Sequence, residues 1–453
     1  MNLFRKGALS LCALLSLSFA LPAQQASAEG FSTVLEGSAR AMSLAGGLVA
    51  RGGDPSVISY NPAAMTRLEG TQFQANLTIT QMYWGVDVKN KKGGYDNYHS
   101  SHQTWPIPSW YLSHQLNDKV WLGIGQFTRF GLGVKYPNNW PGGHNLQSVQ
   151  LITSSINPNI AYKLNDIFSI AVGAEVLYAD MQMRKNIDAA YQKSSGNMSI
   201  PGSGGDMNMN GHGFAFGGNI ALHAQFNEKW SAGITYRAPM SLKVNGKARW
   251  DMAQIPAGLF PSSIPNIAGA VGGLDKIPTS SLKNKVRGTI HLPDSFAFAV
   301  AYKPTKSLSI EAGATYTLWS RFRDFNIYMK DPVNGWHNSD RHWRNNWAFN
   351  ISAEWWALDW MALRLGFVFD KSPNNYGNGD YMMPSNGRKY YTAGVGFKWD
   401  KWTIDLAYMY AHNHEQNYSE SSDNNPHGYK GVVPGRTTHP HAHNFGIGIG
   451  YKF

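Results

Sequence analysis

One pattern decides what this chain can fold into: apolar side chains recur at every second position, in segments joined by alternately short and long connections. At the C-terminus Phe445, Ile447, Ile449, Tyr451 and Phe453 alternate with Gly446, Gly448, Gly450 and Lys452. Phe168, Ile170, Val172, Ala174 and Val176 alternate in the same way with Ser169, Ala171, Gly173 and Glu175. Period two signals strands rather than helices. The pattern predicts strands at about 71–88, 104–116, 119–135, 148–163, 167–186, 211–226 and 229–250, then at about 286–303, 306–322, 343–356, 359–370, 390–399, 402–412 and 441–453. Tight turns such as Asn117-Asp118, Asn165-Asp166 and Asp400-Lys401 alternate with polar loops such as 187–210, 251–285 and 413–440. That alternation, with an even strand count, is the signature of a transmembrane antiparallel β-barrel whose turns face the periplasm and whose loops face outside. The expected class is all-β, a 14-stranded barrel of an outer membrane. Trp121, Trp230, Trp319, Trp347, Trp399 and Trp402 sit near strand ends, where indoles suit a membrane interface.

The N-terminus fits export. Arg5 and Lys6 precede an apolar run from Ala8 to Leu21, and Ala26-Ser27-Ala28 offers a small-x-small cleavage site. The run is too short to span a bilayer comfortably. Residues 1–28 therefore read as a signal peptide cleaved after Ala28, residues 29–70 as an internal plug, and 71–453 as the barrel. The plug is rich in Gly, Ala and Ser and lacks strand alternation. The only cysteine, Cys12, leaves with the signal, which excludes disulfides and thiol chemistry from the mature chain. The formal charge is +11, but only 15% of residues are charged and no long basic run occurs, so nucleic acid is not an expected partner. Positive charge here suits anionic lipid headgroups or an anionic ligand. The mean hydropathy is negative and no apolar helical span follows the signal, which excludes a helical membrane protein but not a barrel.

Gly37-Ser38-Ala39-Arg40-Ala41, Ala45-Gly46-Gly47, Asp54-Pro55-Ser56 and Tyr60-Asn61-Pro62-Ala63 resemble the N-terminal hatch of the FadL family of outer-membrane long-chain fatty acid transporters. The resemblance continues through Ile156-Asn157-Pro158-Asn159, Leu292-Pro293-Asp294-Ser295, Phe369-Asp370-Lys371-Ser372-Pro373 and the terminal Tyr451-Lys452-Phe453. It implies a fourteen-stranded barrel closed by a small hatch. It also implies passive uptake of a hydrophobic ligand, movement of the hatch, and lateral exit at a kink in the third strand. A monomer without cofactor is expected, with a long-chain fatty acid or another hydrophobic small molecule and outer-membrane lipids as partners.

The same resemblance nominates residues. Phe31 matches the aromatic residue near the ligand; its plainer role is packing in the plug. Asn61, Pro62 and Ala63 match the gating turn, whose Asn and Pro favour a fixed conformation. A carboxylate entering an apolar pocket needs a cation, and Lys185 and Arg344 match that position. Their plainer role is pairing with wall carboxylates such as Glu175, Glu311, Glu354 or Asp405. Thr128 to Gly131 match the kink, with Trp105 on the facing strand; glycines at 123, 125, 131 and 133 otherwise make room for the plug. Met198, Met207 and Met209, with the apolar run from Ile255 to Ile267, suit an external capture groove.

Other chemistry finds little support. His439, His441 and His443 alternate along one strand face, yet solvated loop histidines are commoner than a metal site, and none is expected. No G-x-S-x-G motif occurs, and the glycine runs lack a following helix, so neither hydrolase nor nucleotide binder is expected. A sibling class importing aromatic or alkane hydrocarbons, and a structural or adhesive barrel, remain as alternatives.

Overall fold

The structure is a computed structural model describing residues 31–453 except 34, 91, 101–102, 139, 188–189, 194–195, 200–204, 252–281, 331–334, 338–340, 342, 375–379, 384 and 420–431. The signal-peptide reading and most of the 251–285 loop lie outside the described residues, as does the side chain of Met198.

Fourteen antiparallel strands form one wall. They are β1 (Thr71–Lys89), β2 (Gln103–Gln115), β3 (Val120–Phe127, resuming at Gly131–Lys135), β4 (Ser148–Lys163) and β5 (Phe168–Ile187). Then come β6 (Gly205–Gln225), β7 (Trp230–Arg237 and Met240–Asp251), β8 (Leu282–Leu292 and Ser295–Tyr302) and β9 (Leu308–Thr317 and Asn326–Lys330). The last five are β10 (Asn346–Leu358), β11 (Met361–Asp370), β12 (Arg388–Trp399), β13 (Trp402–Asn413) and β14 (Gly435–Lys452). Each pairs with its chain neighbours, and β14 closes on β1 from Gln72↔Lys452 to Val88↔Gly435. The expected barrel is there. Closure pairs backbone groups that hydrocarbon would not solvate.

Alternation sorts the faces. On β5 and β6 the exposed Val172, Val176, Tyr178, Phe214 and Phe216 point outward, while Glu175 and Leu177 point inward and are buried. Trp230, Trp347, Trp399 and Trp402 are exposed on the outer wall, as interface aromatics should be. Trp121 and Trp319 are not. Both are buried inside, Trp121 donating through Nε1 to Leu68 O at 2.7 Å, so for these two the interface reading is corrected. Met207 and Met209 belong to β6, not to a loop, because β6 begins six residues before its alternation becomes apolar.

Ahead of β1 the chain folds into two short helices, α1 (Ala39–Ser43) and α2 (Val57–Tyr60), with 3-10 turns at Leu35–Gly37 and Pro62–Arg67. Ser38 caps α1 by accepting from Ala41 N, and Asn61 caps the second turn by accepting from Ala63 N, with Pro62 at its start. The segment bonds to the wall on every side. Gly37 O accepts from Ser109 and Tyr111 of β2, Ile58 O from Arg237 of β7, and Ser43 O from Thr392 of β12. The segment therefore lies inside the ring. Wall glycines make its space: a Cβ at Gly366 would stand 2.7 Å from Ala45 Cβ, and one at Gly446 would stand 2.6 Å from Met42 Cε.

Candidate functional site

Above the N-terminal segment the lumen is apolar. Phe31 is buried at the centre of an aromatic cage, its ring 4.8 Å from Trp319, 5.3 Å from Phe322, 5.8 Å from Trp343 and 5.9 Å from Phe130, centroid to centroid. Inward positions of β5 and β6 carry Met181, Met183, Met207 and Met209, which belong to the same apolar cluster. Met181, Met183 and Met209 line a cleft of about 40 Å³ with Val244, Ile290 and Phe325. That space admits a few methylene groups at most, so a longer chain needs these side chains to move. Thioethers on unbranched stems move readily.

Lys185 stands at the rim of this chamber. It faces inward on β5, directly across from Met207. The outward face of β5 has already turned polar at Asp180, so Lys185 lies beyond the apolar belt. Burial first, and the nearby Arg341 guanidinium second, push its ammonium below the usual range, with Asp380 opposing. Arg341 is buried, paired with Asp380, and lies 6.0 Å from the ring centroids of both Phe322 and Phe325. Arg344 does not join them. It is exposed just outside β10, whose ladder starts at Asn346, and its backbone N–H donates to Pro373 O at 2.8 Å. The cation beside the cage is thus Arg341, three residues earlier; an irregular segment gave the sequence no period by which to choose between them.

The wall carboxylates have other partners. Glu175 receives Arg129 at 3.3 Å and Arg237 at 3.5 Å. Glu354 binds Arg40 at 3.0 Å and Arg364 at 2.9 Å, and Arg364 also reaches Asp405 at 2.5 Å. Glu311 accepts the backbone N–H groups of Val49, Ala50 and Arg51. These contacts fix the N-terminal segment. Asn61 adds two more, donating to Val49 O at 2.7 Å and to Leu222 O of β6 at 3.0 Å, while Pro62 and Ala63 are buried beside it.

The wall is interrupted beside the cage. β3 stops at Phe127 and resumes at Gly131. Its ladder with β2 runs from Gln115↔Trp121 only to Trp110↔Gln126, so Trp105 lies beyond its end. In the break the N-terminal segment takes the strand's place: Gly131 N donates to Phe31 O at 2.7 Å, Thr33 N to Arg129 O at 3.0 Å, and Ser32 bridges Phe130. Thr33 Oγ1 donates to Thr128 O, and Thr128 Oγ1 to Thr153 O of β4. Gly123 and Gly125 serve a different end, since a Cβ there would collide with Met65 and Tyr111. Arg129, which the sequence did not single out, spans the lumen from the break. It donates to Ala238 O and Pro293 O, where β7 and β8 are interrupted in turn. The prolines at 239 and 293 were a signal for those breaks.

Among the described residues no three His, Cys, Asp or Glu side chains converge as a metal-binding set. His441 and His443 lie on the outer wall, where His441 stacks on Tyr83 at 5.2 Å.

Residues 19–453 match the family described as outer membrane protein transport protein (OMPP1/FadL/TodX). The chain belongs to that family. The OMPP1/FadL/TodX proteins are outer-membrane transporters of hydrophobic compounds rather than enzymes. The chain is similar to the "Putative outer membrane protein NMB0088" of Neisseria meningitidis serogroup B, 25% identical with 97% of each chain covered. It is 22% identical to the long-chain fatty acid transport protein of Escherichia coli K12, covering 81% of this chain and 84% of that one. In fold it is similar to a FadL homologue of Pseudomonas aeruginosa: TM-score 0.78, 19% identity, 95% of this chain and 99% of that one covered.

Proposed function

We propose that this family member takes up long-chain fatty acids or closely similar amphiphiles by passive, ligand-gated diffusion. The alkyl chain enters the methionine-lined chamber and the carboxylate is met by Lys185 and Arg341. Each methylene taken from water contributes roughly 0.8 kcal/mol, so a dry chamber competes with the surrounding lipid. Residues 29–70 act as the hatch in a monomer whose signal is removed after Ala28. Exit is lateral, through the interruption at Thr128–Gly131 and past Trp105.

One observation supports this most: Phe31 belongs to both the cage and the break. Its ring packs in the chamber, and its carbonyl holds Gly131 in the gap. A ligand that displaces the ring also loosens the strand that seals the wall.

A cross-link tests the route. Antiparallel neighbours at the Ser32↔Phe130 bridge stand about 4.5–5.5 Å apart between Cα atoms, within disulfide range. Oxidised Ser32→Cys with Phe130→Cys is expected to bind fatty acid but not release it to the bilayer, and reduction should restore uptake. Full uptake by the oxidised form would rule the route out. A hydrocarbon channel would bind a fatty acid and its matching alcohol equally, and an adhesive barrel would bind neither in its lumen.

A further inference from the structure

The outer wall carries a second charged feature, independent of the lumen. Above the apolar band of β5 and β6, outward positions of β5, β7, β8 and β9 turn basic, with asparagines of β6 between them. One register row runs Arg184 (β5), Asn208 (β6), Arg249 (β7), Lys283 (β8). The next row toward the membrane runs Asn210, Lys247, Lys285 and Lys330, the last on the continuation of β9. Lys247, Arg249, Lys283, Lys285 and Lys330 are all exposed, and Arg184, Lys247, Arg249 and Lys283 line one open cleft of about 400 Å³ with Asn208 and Asn210. Asp206, one register row farther from the membrane and opposite Asp251, pairs with Arg184 at 2.5 Å.

Folding alone does not favour this arrangement. Lys247↔Lys285 places like charges directly opposite on neighbouring strands, and such a cross-strand pair destabilises a sheet. A surface of this kind becomes stable when a polyanion neutralises it. Its position selects the polyanion. Tyr178 and Phe214, exposed and paired across β5 and β6, mark the top of the lipid-facing band two register rows below Lys247. An anion at this height is therefore the headgroup of a molecule whose acyl chains lie against the band.

We propose that the outer face of β5 to β9 binds a phosphorylated glycolipid of the outer leaflet, its phosphates lodged between Arg184, Lys247, Arg249 and Lys283. Spaced phosphates on one rigid sugar headgroup suit cations fixed on two register rows. Amide side chains at Asn208 and Asn210 supply donors to the sugar.

The test uses the full-length protein in detergent with purified bis-phosphorylated lipid A, read by native mass spectrometry and by displacement of a labelled lipid A. Wild-type protein is expected to bind it at least about tenfold more tightly than the enzymatically dephosphorylated lipid, with affinity falling as salt rises. Lys247→Gln, Arg249→Gln and Lys283→Gln combined should erase that preference while leaving fatty-acid binding and the heat-resistant barrel unchanged. Equal binding of both lipids, or retention of the preference by the triple variant, would overturn the proposal. So would displacement by millimolar inorganic phosphate, which would make the site one for free phosphate.

Discussion

The lumen has two halves built on opposite principles. The half nearer the short turns, around α1 and the turn at Asn61, is held by charge: Arg40, Glu354, Arg364 and Asp405 form one chain of ion pairs, and Glu311 binds three successive backbone N–H groups. The half above it, around Phe31, is packed mainly by rings and thioethers, its directed bonds gathered at the break near Gly131 and at the Arg341–Asp380 pair. A buried ion pair tolerates little displacement, because separating the charges exposes each to an uncompensated interior. Apolar contacts are non-directional and can re-form after a shift. The lower half thus tolerates little displacement, while the upper half can repack.

The strongest way to break this contrast is to remove the centre of the ion-pair chain. Glu354→Ala leaves Arg40 and Arg364 without their shared carboxylate and should cost about 3–5 kcal/mol of segment anchoring. The expected readout is a barrel still heat-resistant on gels but newly permeable to small polar antibiotics; unchanged permeability would show that the pairs are not what keeps the segment seated. Gly366→Ala probes the same half by volume. Its Cβ would meet the backbone N of Ala45 at 3.0 Å, so overpacking of about 1–3 kcal/mol should appear as protease sensitivity of the N-terminal segment.

In the upper half, Lys185→Met should weaken fatty-acid binding by about 1.5–3 kcal/mol, a lost charge-assisted hydrogen bond, and spare the matching alcohol. The wild-type preference for acid over alcohol should also fade as pH rises through the depressed pKa of Lys185, at lower pH than an ordinary lysine would allow. An acid preference that persists in the variant would remove Lys185 from headgroup recognition. The smallest effect is expected at Met209→Leu, a volume-conserving swap costing less than about 1.5 kcal/mol. Thermal unfolding that drops as far as in Gly366→Ala would erase the distinction between the two halves.

Much of the architecture was legible because a barrel writes its two faces into every second residue. The strand ends were less so. β6 begins at Gly205 and β14 at Gly435, each six residues before the sequence pattern suggested, because their upper ends stand clear of lipid and need no apolar outer face. The interior was read only in part. The sequence offered Glu175, Glu311, Glu354 and Asp405 as wall carboxylates, but not which arginines meet them. Arg129 and Arg237 sit beside interruptions, where parity is lost, and Trp319 turns inward because β9 leaves its ladder after Thr317. Arg344 and Arg341 differ in burial for a reason no period encodes: both precede the β10 ladder, in irregular chain.

The seam between β14 and β1 joins residues at opposite ends of the barrel sequence, and it sets a timetable. Gln72 cannot meet Lys452 until the whole chain has crossed the inner membrane, so the ring shuts last and slowly, as long-range pairing does. The N-terminal segment emerges first, yet its partners lie on strands from β1 to β14. Gly366 and Gly446 leave no slack for threading it into a finished cylinder. Wall and segment are therefore expected to mature together, the sheet closing around α1 and α2. On that timetable the segment is the mandrel on which the barrel is wound.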